Sequence, residues 1–405
     1  MSDSVVIAGA GHAAGQVVAT LKQKKFDGPV VMLGEEPYLP YQRPPLSKKF
    51  LAGEMPAERL YFKPPSFYDD DNIEIVLDTR VERIDRDGHT VRTADGREFT
   101  YGKLVLATGS RVRRLRVEGN DLEGVHYLRT IADVRAIREE FADGKRMVVV
   151  GAGYIGLEVA AVCRQLGLDV TVIEMADRVM SRVVSPVVSE FYEREHRAQG
   201  VDIRLATGLA EFAHTGGRVT GVVTNSGETV PADFVLVGVG IEPNTGLADE
   251  AGLSVDNGIV VDDHCRTADP AIFAVGDCTS HPSAIYGRDV RLESVHNALE
   301  QAKTAAANIC GADEAYDQVP WFWSDQYDLK LQIAGLSQGF DDVVLRGAPD
   351  DRHFACCYLR DGVLIAVDAV NAPRDFMQSK ALIANRAGVD PERLADPDTP
   401  IKDLL

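Results

Sequence analysis

Two short glycine-rich turns are the stretches of this sequence best suited to hold a ligand. Both have the pattern Gly-x-Gly-x-x-Gly/Ala, with its small residues at Gly9, Gly11, Ala14, Gly151, Gly153 and Gly156. The first glycine of this pattern permits a tight bend, the second lets a pyrophosphate approach, and the third small residue lets the following helix pack on the preceding strand. Backbone N–H groups at the N-terminus of that helix then face the phosphate charge. The repeat predicts two dinucleotide-binding sites.

An acidic residue follows each turn at the end of the next apolar run, where a carboxylate that binds a ribose hydroxyl is expected. These residues are Glu35, with Glu36 beside it, and Glu174. Two structural turns with unrelated carboxylates are the alternative. It is disfavoured because each turn follows a strand-like run and opens a helix-like run. Two such sites in one chain imply two cofactors that must meet.

Composition excludes several classes of partner. The chain has 405 residues and a formal net charge of −19, which argues against nucleic acid or an anionic membrane as its main partner. No apolar run approaches the ~20 residues of a membrane span, and the first core strand begins too early to leave room for a signal peptide. We therefore expect a cytoplasmic protein of two or three domains.

The six cysteines form no redox or metal motif. None belongs to a Cys-x-x-Cys pair, and no Cys/His spacing resembles a zinc or iron–sulfur site, so we expect buried thiols and no bound metal. Cys356 and Cys357 lie in an alternating run and should face opposite sides of one strand. A disulfide between these neighbours is the alternative, which a reducing compartment disfavours.

The order of apolar runs predicts an α/β fold with two Rossmann-like dinucleotide-binding domains and a small C-terminal α+β domain. The expected elements include helices over 13–25, 131–141, 155–166, 294–309 and 373–387, and strands over 30–33, 72–81, 218–224, 271–275 and 363–370. The strand at 271–275 and the helix after it resemble a return to the first domain. The predicted domains are therefore a discontinuous first domain at 1–110 and 243–315, a second domain inserted at 111–242, and a third at 316–405.

Three further segments carry groups suited to a ligand. The proline-stiffened segment YLPYQRPPLSKKFLAG contains Arg43 and Lys48, either as fixed positive charge for a cofactor or as solvated cations on a surface loop. A buried strand ends in Ala107-Thr108-Gly109, which is either an ordinary turn or a place where small residues let a ligand approach the backbone. Asp277 follows another buried strand and needs a donor or a ligand hydroxyl, because an unpaired buried charge is costly.

Together with LVLATG, VGIEPN, AVGDC, NALEQA, PWFWSDQYD and RPPLSK, the two turns make the chain resemble the FAD-dependent, NADH-using ferredoxin reductases of the glutathione-reductase structural class. The resemblance runs along essentially the whole chain. It implies FAD on the first turn, held by Gly9, Gly11, Ala13, Ala14, Glu35, Arg43, Lys48, Val81, Ala107, Thr108, Gly109, Arg129, Gly276, Asp277, Val295 and Trp323. It implies NADH on the second turn, held by Gly151, Gly153, Ile155, Gly156 and Glu174.

The resemblance also implies roles for single residues. Glu35 would hold the adenosine ribose of FAD, while Glu174 would hold the ribose of NADH and so select it against NADPH. Lys48 is expected near the flavin N5, where its charge would stabilise reduced flavin, and Glu158 would keep Lys48 in place. An ordinary salt bridge at a domain seam is the alternative for that pair.

The implied reaction is hydride transfer from NADH to FAD, followed by transfer of single electrons to a 2Fe–2S ferredoxin that feeds a monooxygenase or dioxygenase. Thiol chemistry is not expected, since Gln42 and Arg43 stand where related disulfide reductases and peroxidases carry cysteine. The alternatives are a rubredoxin reductase, an NADH oxidase and, less favoured, a redox-gated binding protein like apoptosis-inducing factor. We expect a monomer.

Two sets of surface candidates remain open. Trp321 and Trp323 either line the exit side of the flavin or pack between domains. A ferredoxin is typically acidic, so its docking site should be locally basic. The candidates are Lys303, Lys330, Arg374 and Lys380, and for each of them an ordinary solvated cation is the more economical explanation.

Overall fold

The computed structural model describes residues 4–404. The strands are β1 Val5–Ala8, β2 Val30–Leu33, β3 Ile73–Val76, β4 Val81–Asp85, β5 Thr90–Thr93, β6 Glu98–Thr100, β7 Lys103–Leu106, β8 Ser110–Val112, β9 Val125–Tyr127, β10 Arg146–Val150, β11 Asp169–Ile173, β12 Asp202–Arg204, β13 Leu209–Thr215, β14 Arg218–Thr224, β15 Thr229–Pro231, β16 Phe234–Val237, β17 Ile241–Pro243, β18 Ile259–Val260, β19 Ile272–Ala274, β20 Thr279–Ser283, β21 Arg288–Val290, β22 Trp321–Gln326, β23 Leu329–Gly335, β24 Asp342–Ala348, β25 His353–Arg360 and β26 Val363–Val370. The α-helices are α1 His12–Gln23, α2 Ile131–Glu139, α3 Tyr154–Gln165, α4 Pro186–Ala198, α5 Gly246–Glu250, α6 Val295–Ile309, α7 Pro373–Ala384 and α8 Pro391–Ala395.

The first parallel sheet is built around β1, with the strand order β19–β7–β1–β2–β3. All residues of β1 are buried, and β1 pairs in parallel with β2 on one side and with β7 on the other, as expected of a strand covered on both faces. The buried residues Ala14, Val17, Val18 and Leu21 of α1 have the spacing of a single helix face. They share one core with the alanines of α6. Ligands of such sheets bind at the carboxyl ends of the strands.

The second parallel sheet repeats this plan around β10, with the order β12–β11–β10–β16–β9. β10 pairs in parallel with β11 and with β16, and α3 follows β10 as α1 follows β1. The α/β fold with two Rossmann-like sheets is therefore confirmed.

A third sheet lies in the C-terminal part of the chain and has the strand order β22–β23–β26–β25–β24. The pairs β23–β26, β25–β26 and β24–β25 are antiparallel, and α7 lies against β23 and β26. The buried guanidinium of Arg346 donates to the backbone oxygens of Leu394, Pro397 and Thr399 at 3.1, 3.0 and 2.8 Å. These bonds fasten the last residues to β24 and complete the expected α+β arrangement.

The described residues form two compact units. The first contains the β1 sheet and comprises the described residues up to Gln42, with Glu58–Arg111 and Glu242–Trp321. The second contains the β10 sheet and the third sheet, and comprises Arg43–Ala57, Val112–Ile241 and the residues from Phe322 onward. The chain thus leaves the first unit and returns to it, while the division into three domains stays a prediction.

Several element predictions need correction. The strand expected over 72–81 is wrong, because β3 ends at Val76 and β4 begins at Val81. Between them Asp78 has a φ of 50°, a left-handed conformation that aspartate tolerates and that ends an extended strand. The helix expected over 373–387 ends at Ala384, and β22 and β23 were not foreseen as strands. The strands at Val30–Leu33, Arg218–Thr224 and Val363–Val370 are confirmed.

None of the helices within residues 4–404 combines the length and the apolar composition that crossing a bilayer requires.

Candidate functional site

The first glycine-rich turn joins β1 to α1 and lies against the end of β7. Gly9 has a φ of +124°, and a Cβ on it would lie 2.2 Å from the backbone oxygen of Ala107. Gly276 approaches from the end of β19, where a Cβ would lie 3.4 Å from the Cβ of Ala13. Small residues at these positions therefore bring three strand ends and the start of α1 together.

The space beside Gly11 fits a dinucleotide pyrophosphate. Apart from Gly11 and its two chain neighbours, no described atom lies within 4 Å of the position that a Gly11 Cβ would take, and no side chain caps the N-terminus of α1. The helix N-terminus therefore presents donors and a positive dipole end to open space, which is the arrangement that phosphate requires. Ala14 is fully buried in the core, so the first turn accommodates the methyl group at its third small position.

Glu35 lies directly after β2, close to this turn. A Cβ on its neighbour Gly34 would lie 2.6 Å from the Cβ of Ala10, so the backbone of the two segments is in close contact. The carboxylate of Glu35 is exposed and lies 3.9 Å from Arg80, which leaves its oxygens accessible to a ribose. Val81, which follows Arg80, is buried at the start of β4, and its place beside an adenine stays a prediction.

The segment Thr108–Ser110 is held by hydrogen bonds within the first unit. The Thr108 hydroxyl donates to the Asn244 backbone oxygen at 2.7 Å, and the Asn244 side chain donates back to the Thr108 oxygen at 2.9 Å. The Ser110 hydroxyl donates to the Asp277 carboxylate at 2.9 Å. Asp277 thus has the donor that its position demanded, and Gly109 between these contacts has a φ of 61°.

Val295 is the first residue of α6, whose N-terminus is capped by the hydroxyl of Ser294. Gly276 lies beside this helix as well, since a Cβ on it would be 3.7 Å from the Cβ of Ala298. Next to Val295, the His296 ring lies 5.4 Å from the Trp321 ring, centroid to centroid. The predicted FAD residues of the first unit therefore lie in the first glycine turn and the start of α1, directly after β2, β7 and β19, and at the starts of β4 and α6.

The second glycine-rich turn lies between β10 and α3 and is packed as closely as the first. A Cβ on Gly156 would lie 2.2 Å from the backbone oxygen of Gly151, and one on Gly151 would lie 2.6 Å from that of Gly238. A Cβ on Gly153 would meet no described atom within 4 Å. As in the first turn, the middle glycine alone borders open space, so this turn also fits a pyrophosphate.

Glu174 follows β11 and is bonded directly to the second turn. Its Oε2 accepts from the backbone N–H of Ala152 at 2.7 Å, and its Oε1 accepts from that of Ala176 at 2.9 Å. A carboxylate has about four lone-pair sites, so two remain for ribose hydroxyls. Ile155 lies in the first turn of α3 and is 42% exposed, and its place beside a nicotinamide stays a prediction.

A buried ion pair joins the RPPLSK segment to α3. Lys48 Nζ lies 2.6 Å from Oε2 of Glu158, whose side chain is 1% exposed. The same oxygen accepts from the Ser47 hydroxyl at 2.5 Å, and Oε1 accepts from the Ser324 hydroxyl at 2.7 Å. Lys48, Ser47 and Ser324 therefore compensate the buried charge, as such a charge requires. The carboxylate in turn holds the Lys48 ammonium in one place.

Three other predicted cofactor residues, Arg43, Arg129 and Trp323, also lie in the second unit. An Nη of Arg43 donates to the backbone oxygen of Arg129 at 2.6 Å. Trp323 lies 6.3 Å from the ring of Phe322, which lies 4.8 Å from that of Tyr154 at the start of α3. Arg43, Lys48, Arg129 and Trp323 thus belong to the second unit and the other predicted FAD residues to the first. Their roles stay predictions.

The thiols are not poised for chemistry. All six cysteines are free thiols and five are buried, but the expectation of a buried thiol is wrong for Cys310, which is exposed just after α6. Burial raises the pKa of both Cys163 and Cys356 to about 12. A nucleophilic cysteine needs a lowered pKa, so the five buried thiols act as packing groups, and the pKa of Cys310 is also raised rather than lowered.

Sequence reasoning missed the partners that hold the predicted residues. Ser47, Ser324 and Ala152 donate to the two key glutamates. Ser47 stands inside RPPLSK, so its position was visible, whereas Ser324 is separated from Glu158 by 166 residues. The signal for Ser324 is a pair of polar residues, two positions apart, inside an aromatic strand.

The candidate docking cations are dispersed. Lys303 pairs with Glu300 at 2.6 Å, and Lys380 lies 4.4 Å from the centroid of the Phe376 ring. Lys330 and Arg374 are exposed. The backbone N–H of Lys330 donates to the side chain of Asn371 at 2.9 Å, which places Lys330 beside the start of α7.

Comparison with family models covers nearly the whole chain. Residues 3–302 match the pyridine nucleotide-disulphide oxidoreductase model, and residues 321–405 match the reductase C-terminal model.

Individual proteins match along their full length. The chain is 47% identical to the 5,5'-dehydrodivanillate O-demethylase ferredoxin reductase subunit of Sphingobium sp. (strain NBRC 103272 / SYK-6), over 98% of this chain and 97% of that protein. It is 45% identical to the ferredoxin–NAD(+) reductase component of the anthranilate 1,2-dioxygenase system of Burkholderia cepacia, over 100% of both. The crystal structure of the covalent putidaredoxin reductase–putidaredoxin complex matches with a TM-score of 0.96 and 44% identity, over 99% of this chain and 97% of that one.

Proposed function

We propose, from the premise that this chain belongs to the pyridine nucleotide-disulphide oxidoreductase family, that it is an NADH-dependent flavoprotein ferredoxin reductase. The observation that carries the proposal is the pair of glycine turns, each with open space at its middle glycine and a carboxylate after its second strand. Full-length similarity to ferredoxin reductase components supports the same activity.

FAD binds the first turn and NADH the second. Bound FAD would accept a hydride from NADH and pass electrons singly to a 2Fe–2S ferredoxin that supplies a monooxygenase or dioxygenase. The chain's own residues bind and orient these partners. The N-termini of α1 and α3 receive the two pyrophosphates beside Gly11 and Gly153.

Selectivity for NADH arises at Glu174. Its two backbone bonds fix the carboxylate at the second turn, where its remaining lone pairs accept from the ribose hydroxyls. A 2′-phosphate at that place would meet a carboxylate of like charge. The carboxylate of Glu35 accepts hydrogen bonds from the adenosine ribose of FAD.

Lys48 supplies a fixed positive charge to the reaction. Its ammonium is held by Glu158 at 2.6 Å, and a charge that is already in position stabilises developing negative charge without reorganisation. Lys48 and Glu158 are thus the proposed catalytic pair, and Lys48 is the member that would touch the cofactor.

The partner and the setting complete the proposal. We expect one monomer, in the cytoplasm, to bind an acidic ferredoxin through cations that include Lys330 and Arg374. The three-domain division, with a discontinuous FAD-binding domain, is part of the same proposal. It is supported by the way the chain leaves the first unit and returns to it.

Anaerobic stopped-flow spectroscopy tests the function. The purified protein should be yellow, its flavin absorbance should bleach on mixing with NADH, and a second mixing step should re-oxidise it with a 2Fe–2S ferredoxin faster than with rubredoxin or oxygen. A protein that cannot be loaded with flavin, or whose flavin NADH does not bleach, refutes the proposal. Faster re-oxidation by rubredoxin would make it a rubredoxin reductase.

A further inference from the structure

A continuous line of hydrogen bonds runs from Glu158 through the third sheet to the surface. We call it the Glu158 chain, and it consists of Ser324, Gln326, His196 and Tyr327. Ser324 Oγ lies 2.7 Å from Glu158 Oε1, and Gln326 Nε2 lies 3.1 Å from Ser324 Oγ. His196 Nε2 lies 2.8 Å from Gln326 Oε1, and the Tyr327 hydroxyl lies 3.2 Å from His196 Nδ1.

The chemistry of each group sets the direction of every proton in the Glu158 chain. An ionised carboxylate only accepts, so the Ser324 hydroxyl donates to Glu158 and must itself accept from the amide nitrogen of Gln326. That choice turns the Gln326 oxygen toward His196, which must donate from Nε2. The Nδ1 of His196 is then an acceptor, and the Tyr327 hydroxyl donates to it. All the donors point toward Glu158.

Burial keeps this direction fixed. Ser324, Gln326 and His196 are at most 1% exposed, so water cannot replace one of the bonds. Burial also lowers the pKa of His196 to about 4, so its ring is neutral at pH 7 and can accept at Nδ1. Aligned hydrogen bonds polarise one another and strengthen in a low dielectric.

We propose that the Glu158 chain compensates the charge of the Glu158 carboxylate and keeps it aimed at Lys48, and that its members are positioning residues for the flavin reaction. The inference rests on the proposed function, because it gives Lys48 and Glu158 their catalytic meaning. The hydroxyl of Ser324 satisfies the carboxylate oxygen that Lys48 and Ser47 do not reach. Without it, the buried charge loses one of its three donors and is less well compensated.

The outer end of the Glu158 chain reaches an open cavity of about 430 Å³ on the second unit. Tyr327 lines this cavity together with charged groups of Glu195, Asp328 and Arg352. Water at this end can donate to the Tyr327 oxygen, which closes the line of donors. Tyr327 has a φ of 57°, a conformation that is unusual for a bulky residue and that aims its hydroxyl back toward His196.

Other titratable groups lie near Glu158, and any of them that titrates near neutral pH would contribute to a pH profile of the reaction. Tyr154 and Tyr192 feel its charge, but burial raises the pKa of both far above the usual value, so neither titrates near neutral pH. Asp368 faces the same two phenols, and its pKa is raised to about 7 by burial. Kinetic variants are therefore built on an Asp368→Asn background.

The first test is independent of turnover. In holoprotein labelled with ¹⁵N-histidine, long-range ¹H–¹⁵N spectra report the tautomer of His196, which His196→Gln assigns. We expect neutral His196 with its proton on Nε2, and a mixture of tautomers in Ser324→Ala, because the Gln326 amide is then free to turn over. A proton on Nδ1 in the wild type, or an unchanged tautomer in Ser324→Ala, overturns the proposal.

The second test is the pH profile of flavin reduction by NADH. Ser324→Ala should move the acid limb upward by about one pH unit, the worth of one charge-assisted hydrogen bond, and Ser324→Thr should restore it. Tyr192→Phe removes a buried hydroxyl that is not part of the Glu158 chain and should leave the acid limb in place. If the acid limb of Ser324→Ala superimposes on that of the Asp368→Asn background, the proposal is overturned.

Tyr327→Phe keeps the test decisive if Ser324→Ala does not fold, since it removes one half-buried hydroxyl. It should move the acid limb of the pH profile in the same direction by roughly a few tenths of a pH unit. An acid limb that does not move counts against the proposed role of the Glu158 chain. Failure of the proposed function looks different. Bound flavin would then not bleach with NADH in any variant, whereas the His196 tautomer would still report the direction of the chain.

Discussion

The carboxylate of Glu174 accepts a hydrogen bond from the backbone N–H of Ala152, 2.7 Å away within the second glycine turn. The residue expected to read the ribose is therefore fixed to the turn expected to hold the pyrophosphate. Since these groups are adjacent in a dinucleotide, we expect one rigid element of the chain to recognise both. Placement of the carboxylate then depends on the backbone of the turn rather than on a flexible side chain.

Glu174→Gln should reduce the preference for NADH over NADPH. The amide keeps the size of the side chain but removes the charge that opposes a 2′-phosphate, and one of the two backbone donors loses its acceptor. We expect kcat/KM for NADH to fall about tenfold, as for the loss of a hydrogen bond to a charged group, and kcat/KM for NADPH to rise. Steady-state kinetics with both nucleotides measure the change, and Met175→Ala at the exposed neighbour is the control. An unchanged ratio of the two kcat/KM values would remove Glu174 from selectivity.

The glycines of the second turn should separate folding from binding. A Cβ on Gly156 would lie 2.2 Å from a backbone oxygen, whereas one on Gly153 would meet nothing within 4 Å. Gly156→Ala should therefore cost about 1–3 kcal/mol of stability through overpacking. Gly153→Ala should fold normally but weaken NADH binding at least about tenfold, because its methyl occupies the space for the pyrophosphate.

Thermal unfolding and NADH titration of both glycine variants check this pair. The space at Gly153 is not a nucleotide site if Gly153→Ala binds NADH as the wild type does. Gly11→Ala offers the same comparison for flavin loading at the first turn.

Local signals determined how much of the fold could be read from the sequence. Apolar runs of regular period predicted Val30–Leu33 and Val363–Val370 correctly, and the glycine turns were placed between strand and helix as expected. β22 was missed because Ser324 and Gln326 are buried polar residues that break the apolar period of a strand. Sequences depart from their pattern where function requires it, and here the departure supplies Ser324 as a partner of Glu158 and Gln326 as a partner of Ser324.

The candidate site was predictable in its residues but not in its connections. Lys48 and Glu158 were paired only through a resemblance, and 110 residues separate them. The bond between Ser324 and Glu158 depends on how the third sheet packs on α3, which no local period reports. The role of Ala152 could not be predicted for another reason: its backbone N–H is the donor, and every residue type except proline has one.

Lys48→Met should slow flavin reduction by roughly 10–100-fold, because a preorganised charge at the reacting centre is lost. The substitution also strands the buried Glu158 charge, which is costly in itself. The double variant Lys48→Met/Glu158→Gln removes both charges and separates the two effects. A double variant that remains slow assigns the loss to the Lys48 charge, and one that recovers assigns it to the stranded carboxylate. Stopped-flow reduction by NADH measures both, and wild-type rates in Lys48→Met would eliminate the catalytic role.

Asp368 should make stability fall as the pH rises toward neutrality. The side chain is 1% exposed, Tyr358 donates to one of its oxygens, and its other oxygen has no partner among residues 4–404. Burial raises the pKa of Asp368 from 3.8 to about 7. The unfolded chain therefore releases this proton near pH 4 while the folded chain keeps it to about pH 7, so the free energy of unfolding declines between those values and then levels off.

Asp368→Asn removes this term while its amide oxygen can still accept from Tyr358. We expect the variant to gain stability over the wild type, with a gain that is larger at pH 8 than at pH 5 by roughly 1–3 kcal/mol. Urea unfolding at several pH values measures it, and Asp361→Asn at an exposed position should track the wild type. A gain that stays constant from pH 5 to pH 8 would mean that Asp368 titrates in the folded protein as it does in the unfolded chain, and that burial of its carboxyl carries no proton with it.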